Sequence, residues 1–199
     1  MMSMHRVAFF SVVLLGCGAS PRRAPPPEAE VGPSEGADPP PIAPLPESAI
    51  CSEEDDDCRL DRLGPVRLDW LVEGLPVAQV IEKLGPPATR EPPVEEGATG
   101  EWVSVAAWPD QGITVLLTAG AATEDGTVRG IWVRPPSTLQ TDRGIGLGAS
   151  AGQVHTAYGN TLDPRGRADQ LVAGSIYGGV TFTLASGRVV EIFVGPGAE

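Results

Sequence analysis

Two short stretches carry apolar residues at helical spacing. In Gly74-Leu75-Pro76-Val77-Ala78-Gln79-Val80-Ile81-Glu82-Lys83-Leu84-Gly85, the residues Val77, Val80, Ile81 and Leu84 fall at i, i+3, i+4 and i+7, which lines one face of a helix. Gly85 supplies the C-terminal stop. Seventy-four positions on, Gly148-Ala149-Ser150-Ala151-Gly152-Gln153-Val154-His155-Thr156-Ala157-Tyr158-Gly159 places Gln153 on Gln79, Val154 on Val80, Tyr158 on Leu84 and Gly159 on Gly85. After each predicted helix come β-like runs separated by turn residues. The first set is Glu101 to Trp108, Gly112 to Thr118 and Val128 to Arg134, with turns at Pro109-Asp110 and Glu124-Asp125-Gly126. The second is Gln170 to Tyr177, Gly179 to Leu184 and Arg188 to Val194, with turns at Gly178-Gly179 and Ser186-Gly187. Ile113, Val115 and Leu117 correspond to Val180, Phe182 and Leu184, and Ile131-Trp132-Val133 to Ile192-Phe193-Val194. Alternation in Gly179-Val180-Thr181-Phe182-Thr183-Leu184 predicts a sheet with one buried face.

The fold class expected is therefore α+β. Two tandem repeats, over 61–140 and 141–199, would each pack a short helix on a three- or four-stranded antiparallel β-meander. Ahead of them the character of the chain changes. From Ala19 to Ala49 there are ten prolines, five acids and almost no large apolar residue, so this stretch cannot offset its own ordering entropy. A disordered, proline-rich acidic tether is expected over 17–60. At roughly 3 Å per residue its 31 proline-rich residues reach up to about 90 Å.

The first sixteen residues read as a signal peptide, with a short basic start at His5-Arg6 and an apolar run from Val7 to Leu15, too short to span a bilayer. The end of that run, Leu14-Leu15-Gly16-Cys17, resembles the bacterial lipobox. The resemblance implies lipidation of Cys17 as the new N-terminus and residence in the bacterial cell envelope, anchored at the outer membrane. With Cys17 acylated, Cys51 and Cys58 remain as an even pair in an oxidising compartment, and a disulfide between them is the expected state.

Composition narrows the function further. The formal charge of −12 becomes −13 when residues 1–16, which hold one arginine and no acid, are removed. That balance excludes nucleic acid as a partner and disfavours docking on anionic headgroups through the protein surface, which leaves the lipid as the membrane contact. Thirteen of the fourteen basic residues are arginine and only Lys83 is lysine, a habit of codon composition with no bearing on binding.

The helix pattern G-x-x-x-x-x-V-x-x-x-[LY]-G, followed by a β-meander, matches Gly74 to Gly85 and Gly148 to Gly159. In this the chain resembles the SmpA/OmlA lipoproteins of outer-membrane assembly and, through its duplication, the β-lactamase inhibitory protein family. The resemblance covers roughly residues 66 to 195. It implies non-enzymatic binding of an envelope or extracellular protein, as an assembly accessory or an inhibitor, through a concave sheet surface, and it carries over no contact residue.

Candidate anchors follow from hot-spot chemistry, which favours Trp, Tyr and Arg. On or beside predicted strands stand Trp102, Trp108, Trp132, Arg134, Tyr177 and Arg188, with Arg165 and Arg167 in the loop after the second helix. Trp102 and Trp132 are expected in the core. Trp108, at a turn, joins Tyr177, Arg165, Arg167 and Arg188 as the binding candidates. Catalytic chemistry finds little footing. His155 is the one histidine after Cys17, and its alignment with Ile81 places it on the stripe facing the sheet. Zinc lacks a ligand cluster, and the run Glu53-Glu54-Asp55-Asp56-Asp57 lacks the spacing and turn glycine of a calcium loop, so it reads as a solvated acidic loop. Gly144-Ile145-Gly146-Leu147-Gly148 misses the third glycine of a nucleotide loop. No metal and no cofactor is expected. Glu95-Glu96 and Glu124-Asp125 keep open the alternative of a small carboxylate-dependent hydrolase, beside that of a structural envelope lipoprotein without a dedicated ligand.

Overall fold

A computed structural model describes residues 51, 52, 54–175 and 177–196. The signal segment, Cys17 and the tether up to residue 50 lie outside the described residues. Among the described residues three eight-residue α-helices and ten strands follow one another: α1 (Asp56–Leu63), β1 (Arg67–Leu68), β2 (Leu71–Val72), α2 (Val77–Leu84), β3 (Thr89–Arg90), β4 (Val94–Glu95), β5 (Trp102–Trp108), β6 (Ile113–Ala119), β7 (Thr127–Val133), α3 (Ala151–Tyr158), β8 (Gln170–Ser175), β9 (Gly178–Ala185) and β10 (Arg188–Val194). The fold is α+β with one large antiparallel sheet. Its order is β3-β5-β6-β7-β10-β9-β8, and β4 also pairs with β5.

Both predicted helices form where the apolar spacing puts them. Gly85 (φ 79°) and Gly159 (φ 44°) end them, and each glycine's N–H closes back on a carbonyl of the last turn. α3 also has a capping box, with the Ser150 hydroxyl taking the Gln153 N–H and the Gln153 side chain taking the Ser150 N–H. Alternation in the strands sends Val115, Leu117, Ile131, Val133, Val180, Phe182, Ile192 and Val194 to one face, where they join Val77 and Val80 of α2 and Val154 and Tyr158 of α3 in a single core. The Tyr158 ring meets Phe182 at 5.1 Å between centroids.

Each helix is tied to the strand that closes its meander by the same backbone bonds. Gly74 N–H donates to the Val128 carbonyl at 2.7 Å and Gly148 N–H to that of Val189 at 2.8 Å. Val77 N–H reaches Gly126 and Ala151 N–H reaches Gly187, while Val128 N–H returns to Leu75 and Val189 N–H to Ala149. β7 and β10 then pair with each other, Ile131 opposite Val194, Trp132 opposite Phe193 and Val133 opposite Ile192. A continuous sheet results.

Four sequence expectations need correction. The tether was expected to run to residue 60 with a solvated acidic loop, yet α1 starts at Asp56. The acids there act as a helix start: the Asp55 carboxylate caps the Cys58 N–H at 2.8 Å, and Asp56 and Asp57 sit in the first turn, where the helix dipole favours negative charge. Arg59, 1 % exposed, holds α1 to β8 through the Gly174 carbonyl at 3.2 Å, and also binds the Ser52 carbonyl and Asp56. Trp108 is no surface anchor. As the last residue of β5 it points inward, 2 % exposed, and its indole N–H donates to the Gly85 carbonyl at 2.9 Å. Trp102 and Trp132 are only half-buried: Trp102 opens β5 at the end of the sheet, and Trp132, between inward Ile131 and Val133, must point to the other face. His155 is exposed, because α3 buries Val154 and Tyr158 and its neighbour falls beyond the stripe.

The glycine-rich run 144–148 is structural as well. Thr141 closes a turn around it, with Gly144 N–H on the Thr141 carbonyl and Ile145 N–H on the Thr141 hydroxyl, and this beds Ile145 in the core.

Candidate binding face

The sheet has two faces, and the described helices serve one of them. Residues that alternate with the core set point the other way. Val103, Val105, Leu116, Trp132, Val172 and Phe193 are half-buried and stand outside the core cluster. Cross-strand register assembles them: Val103 opposite Thr118, Val105 opposite Leu116, Thr114 opposite Trp132, Trp132 opposite Phe193, and Phe193 opposite Thr181, which in turn faces Val172. At the edge, Val94 lies opposite Val103 and is 62 % exposed.

Trp132 and Phe193 stack at 4.6 Å between ring centroids, tilted by 35°, which adds to their area burial. Phe193 can lie flat because Gly130 has no side chain. A Cβ there would come within 3.3 Å of the Phe193 ring and 3.6 Å of Leu116. Leu116, Gly130, Phe193 and Trp132 thus make an apolar platform near the middle of the sheet. Charged pairs frame it, Arg134 with Glu191 on one side and Arg129 with Glu96 (2.9 Å) and Glu101 (3.9 Å) on the other. Hydrogen bonds from the Thr99 hydroxyl and from Arg129 hold the Glu96 carboxyl below its ordinary value.

The predicted anchors are not gathered on this face. Tyr177, 68 % exposed, stands at the β8–β9 turn with its N–H on the Ser175 hydroxyl. Arg188 donates to the Gly148 carbonyl at 2.8 Å and so fastens the approach to α3 on β10. Arg167 pairs with Asp169 at 3.4 Å. Arg165 binds Asp163 at 2.9 Å and Asp56 at 2.7 Å, joining the loop after α3 to α1. The hydrogen bonds from Arg165 hold the Asp163 carboxyl below its ordinary 3.8 against the opposing effect of burial. A lowered folded value means that the ionised form stabilises the fold above the ordinary value, and that this contribution is lost as pH falls through the folded one. Asp163→Asn should therefore lower the urea midpoint near neutrality and flatten its decline below about pH 4; an unchanged acid limb would show the pair contributes nothing.

Cys51 and Cys58 form a disulfide, with Cα atoms 5.8 Å apart, and it pins the chain ahead of α1. Three of the four carboxylates considered for hydrolysis are otherwise engaged, Glu95 being the exception among the described residues. Glu124 accepts the Gly120 N–H, Asp125 pairs with Arg90 and Glu96 pairs with Arg129. Glu101 and Glu124 do line one shallow depression of about 350 Å³ at the end of the sheet. Among the described residues no three His, Cys, Asp or Glu side chains cluster as a metal would require.

Residue-type reasoning overlooked Leu116, Val103, Val105 and Phe193 as surface. The signal for them was present. Unbroken apolar triplets such as Ile131-Trp132-Val133 and Ile192-Phe193-Val194 must send their middle residue to the opposite face. No protein-family model, curated protein or solved structure matches this chain.

Proposed function

We propose that this is a lipid-anchored bacterial envelope protein that works by binding another protein across the open face of its sheet, without catalysing a reaction. The observation that carries the reading is the Trp132–Phe193 stack, half-buried at the junction of β7 and β10 on a face that no described helix covers. Monomeric proteins rarely leave contiguous apolar surface of this kind without a use, and large aromatics at the centre of a patch are the usual energetic anchors. The resemblance to the SmpA/OmlA and β-lactamase inhibitory protein families points the same way.

The same reading takes the domain as two tandem helix-plus-meander repeats, 61–140 and 141–199. In its support, the three recurrent backbone bonds link positions 74 apart in the helix segments, Gly74 with Gly148, Leu75 with Ala149 and Val77 with Ala151, to positions 61 apart in the strands, Gly126 with Gly187 and Val128 with Val189. From the β7–β10 pair the sheet order reads outward through three strands on each side, β7-β6-β5 and β10-β9-β8, with β3 and β4 added beyond β5. Trp132 and Phe193, equivalent in the two repeats, then meet on the local axis. The lipobox-like Leu14-Leu15-Gly16-Cys17 supports the anchor, and the outer membrane is its proposed site.

The test places a photo-cross-linker at Thr114, beside Trp132, in the full-length protein in its native envelope. One dominant protein should be captured from Thr114 and not from exposed Lys83 on α2, and the capture should vanish in Trp132→Ser while the cooperative melt persists. Equal capture from both positions, or capture indifferent to Trp132, overturns the face. Cys17→Ser in the same cells should leave the protein soluble or unprocessed; unchanged mass and membrane partitioning would overturn the anchor.

A further inference from the structure

The open face is not electrically uniform, and its charge pattern selects among occupants. At the β3–β4 edge, Glu91 N–H donates to the Val105 carbonyl at 2.8 Å, which sets Glu91 on the open face with Val105, whereas Glu95 lies opposite Trp102, on the parity of inward Ser104 and Ala106, and so turns to the helix face. The exposed Val94, opposite Val103, thus shares the open face with exposed Glu91. Glu91 has no ion pair among the described residues, and Glu96 and Glu101 share the single guanidinium of Arg129. Acid therefore exceeds base along this edge, beside an apolar surface that runs inward through Val103 and Val105 to Leu116.

Building on the binding role proposed above, we infer that the occupant is a cationic, apolar protein segment, one that sets aliphatic or aromatic side chains on the Leu116–Trp132–Phe193 platform and Lys or Arg against Glu91, Glu96 and Glu101. A second copy of this chain is the poorer fit, because each copy carries a formal charge of −12 and face-to-face docking would bring like charge together. The short edge strands β3 and β4 are separated by Pro92-Pro93, which discourages strand addition there. The segment accordingly lies across the face.

A pair of fluorescein-labelled peptides of equal length tests the assignment on the full-length protein in detergent, one alternating valine with lysine and its twin alternating valine with glutamate. The lysine peptide should bind about tenfold tighter at low ionic strength, and that preference should shrink several-fold at about 0.5 M salt. Glu91→Gln should cost the lysine peptide about twofold and leave the melt unchanged, and Trp132→Ser should weaken it as well. Equal affinity for the two peptides, preference for the glutamate twin, or binding by neither overturns the charge assignment. So does a concentration-dependent dimer that Trp132→Ser abolishes, which would make a second copy the occupant. Failure here alongside an intact, Trp132-dependent cross-link from Thr114 removes only the partner's chemistry, whereas loss of that cross-link removes the face itself.

Discussion

Val80→Asp and Val154→Asp should each abolish the cooperative thermal melt. Both valines are fully buried, at equivalent turns of α2 and α3, against the inward side chains of the sheet. A carboxylate at either site would have no basic partner in the core cluster, whose members are all apolar apart from the Tyr158 hydroxyl and the Trp108 indole N–H. Burying such a charge costs several kcal/mol even after relaxation, and a domain of this size has only about 5–15 kcal/mol of stability in total. Either the helix leaves the sheet or the chain unfolds. Gln79→Asp, one residue away and exposed, serves as the control and should melt within a few degrees of the parent. A sharp transition retained in the valine variants would mean the helices turn another face inward.

Trp108→Ala comes next in size. The side chain fills the space between the end of β5 and the C-terminus of α2, and its indole N–H satisfies the Gly85 carbonyl. Truncation removes the largest fully buried side chain and leaves a cavity, at a cost of about 3–5 kcal/mol, plus about 1 kcal/mol for the lost hydrogen bond. Trp108→Phe keeps most of the volume and should cost only about 1–2 kcal/mol. Urea denaturation reads both values. Trp132→Ser, by contrast, should change stability little, since that ring lies outside the core. If Trp108→Ala proved as mild as Trp132→Ser, the inward orientation of β5 would be wrong.

The sequence foretold these two outcomes unequally. Periodicity located α2, α3 and the six long strands to within two residues at each end, because each contributes an apolar stripe or alternation to one core. β1 to β4 are two-residue strands, too short to show a period, and they exist only because longer neighbours offer them partners. α1 was concealed by its own acids. A run from Glu53 to Asp57 reads as solvated loop until Arg59 is seen buried against Gly174, a contact 115 positions away along the chain. The candidate anchors failed for a related reason. Residue type singled out Trp108 and Arg188, but orientation within the strand decides whether an aromatic packs or projects, and Arg188 spends its guanidinium on the Gly148 carbonyl. The apolar platform was encoded in the parity of β5, β7 and β10, which composition alone does not reveal.

The placement of β10 has a further consequence. It is the last element of the described chain, yet it lies in the interior of the sheet, between β7 and β9. A polypeptide emerging N-terminus first completes β5, β6 and β7 long before the strand that joins them to β8 and β9. Until then β7 offers an apolar, unpaired margin to any neighbouring chain, the kind of surface that recruits foreign strands. Nascent molecules therefore pass through a vulnerable interval that ends only when β10 has been made, and a chain lacking β10 loses its centre and leaves two half-sheets with nothing between them.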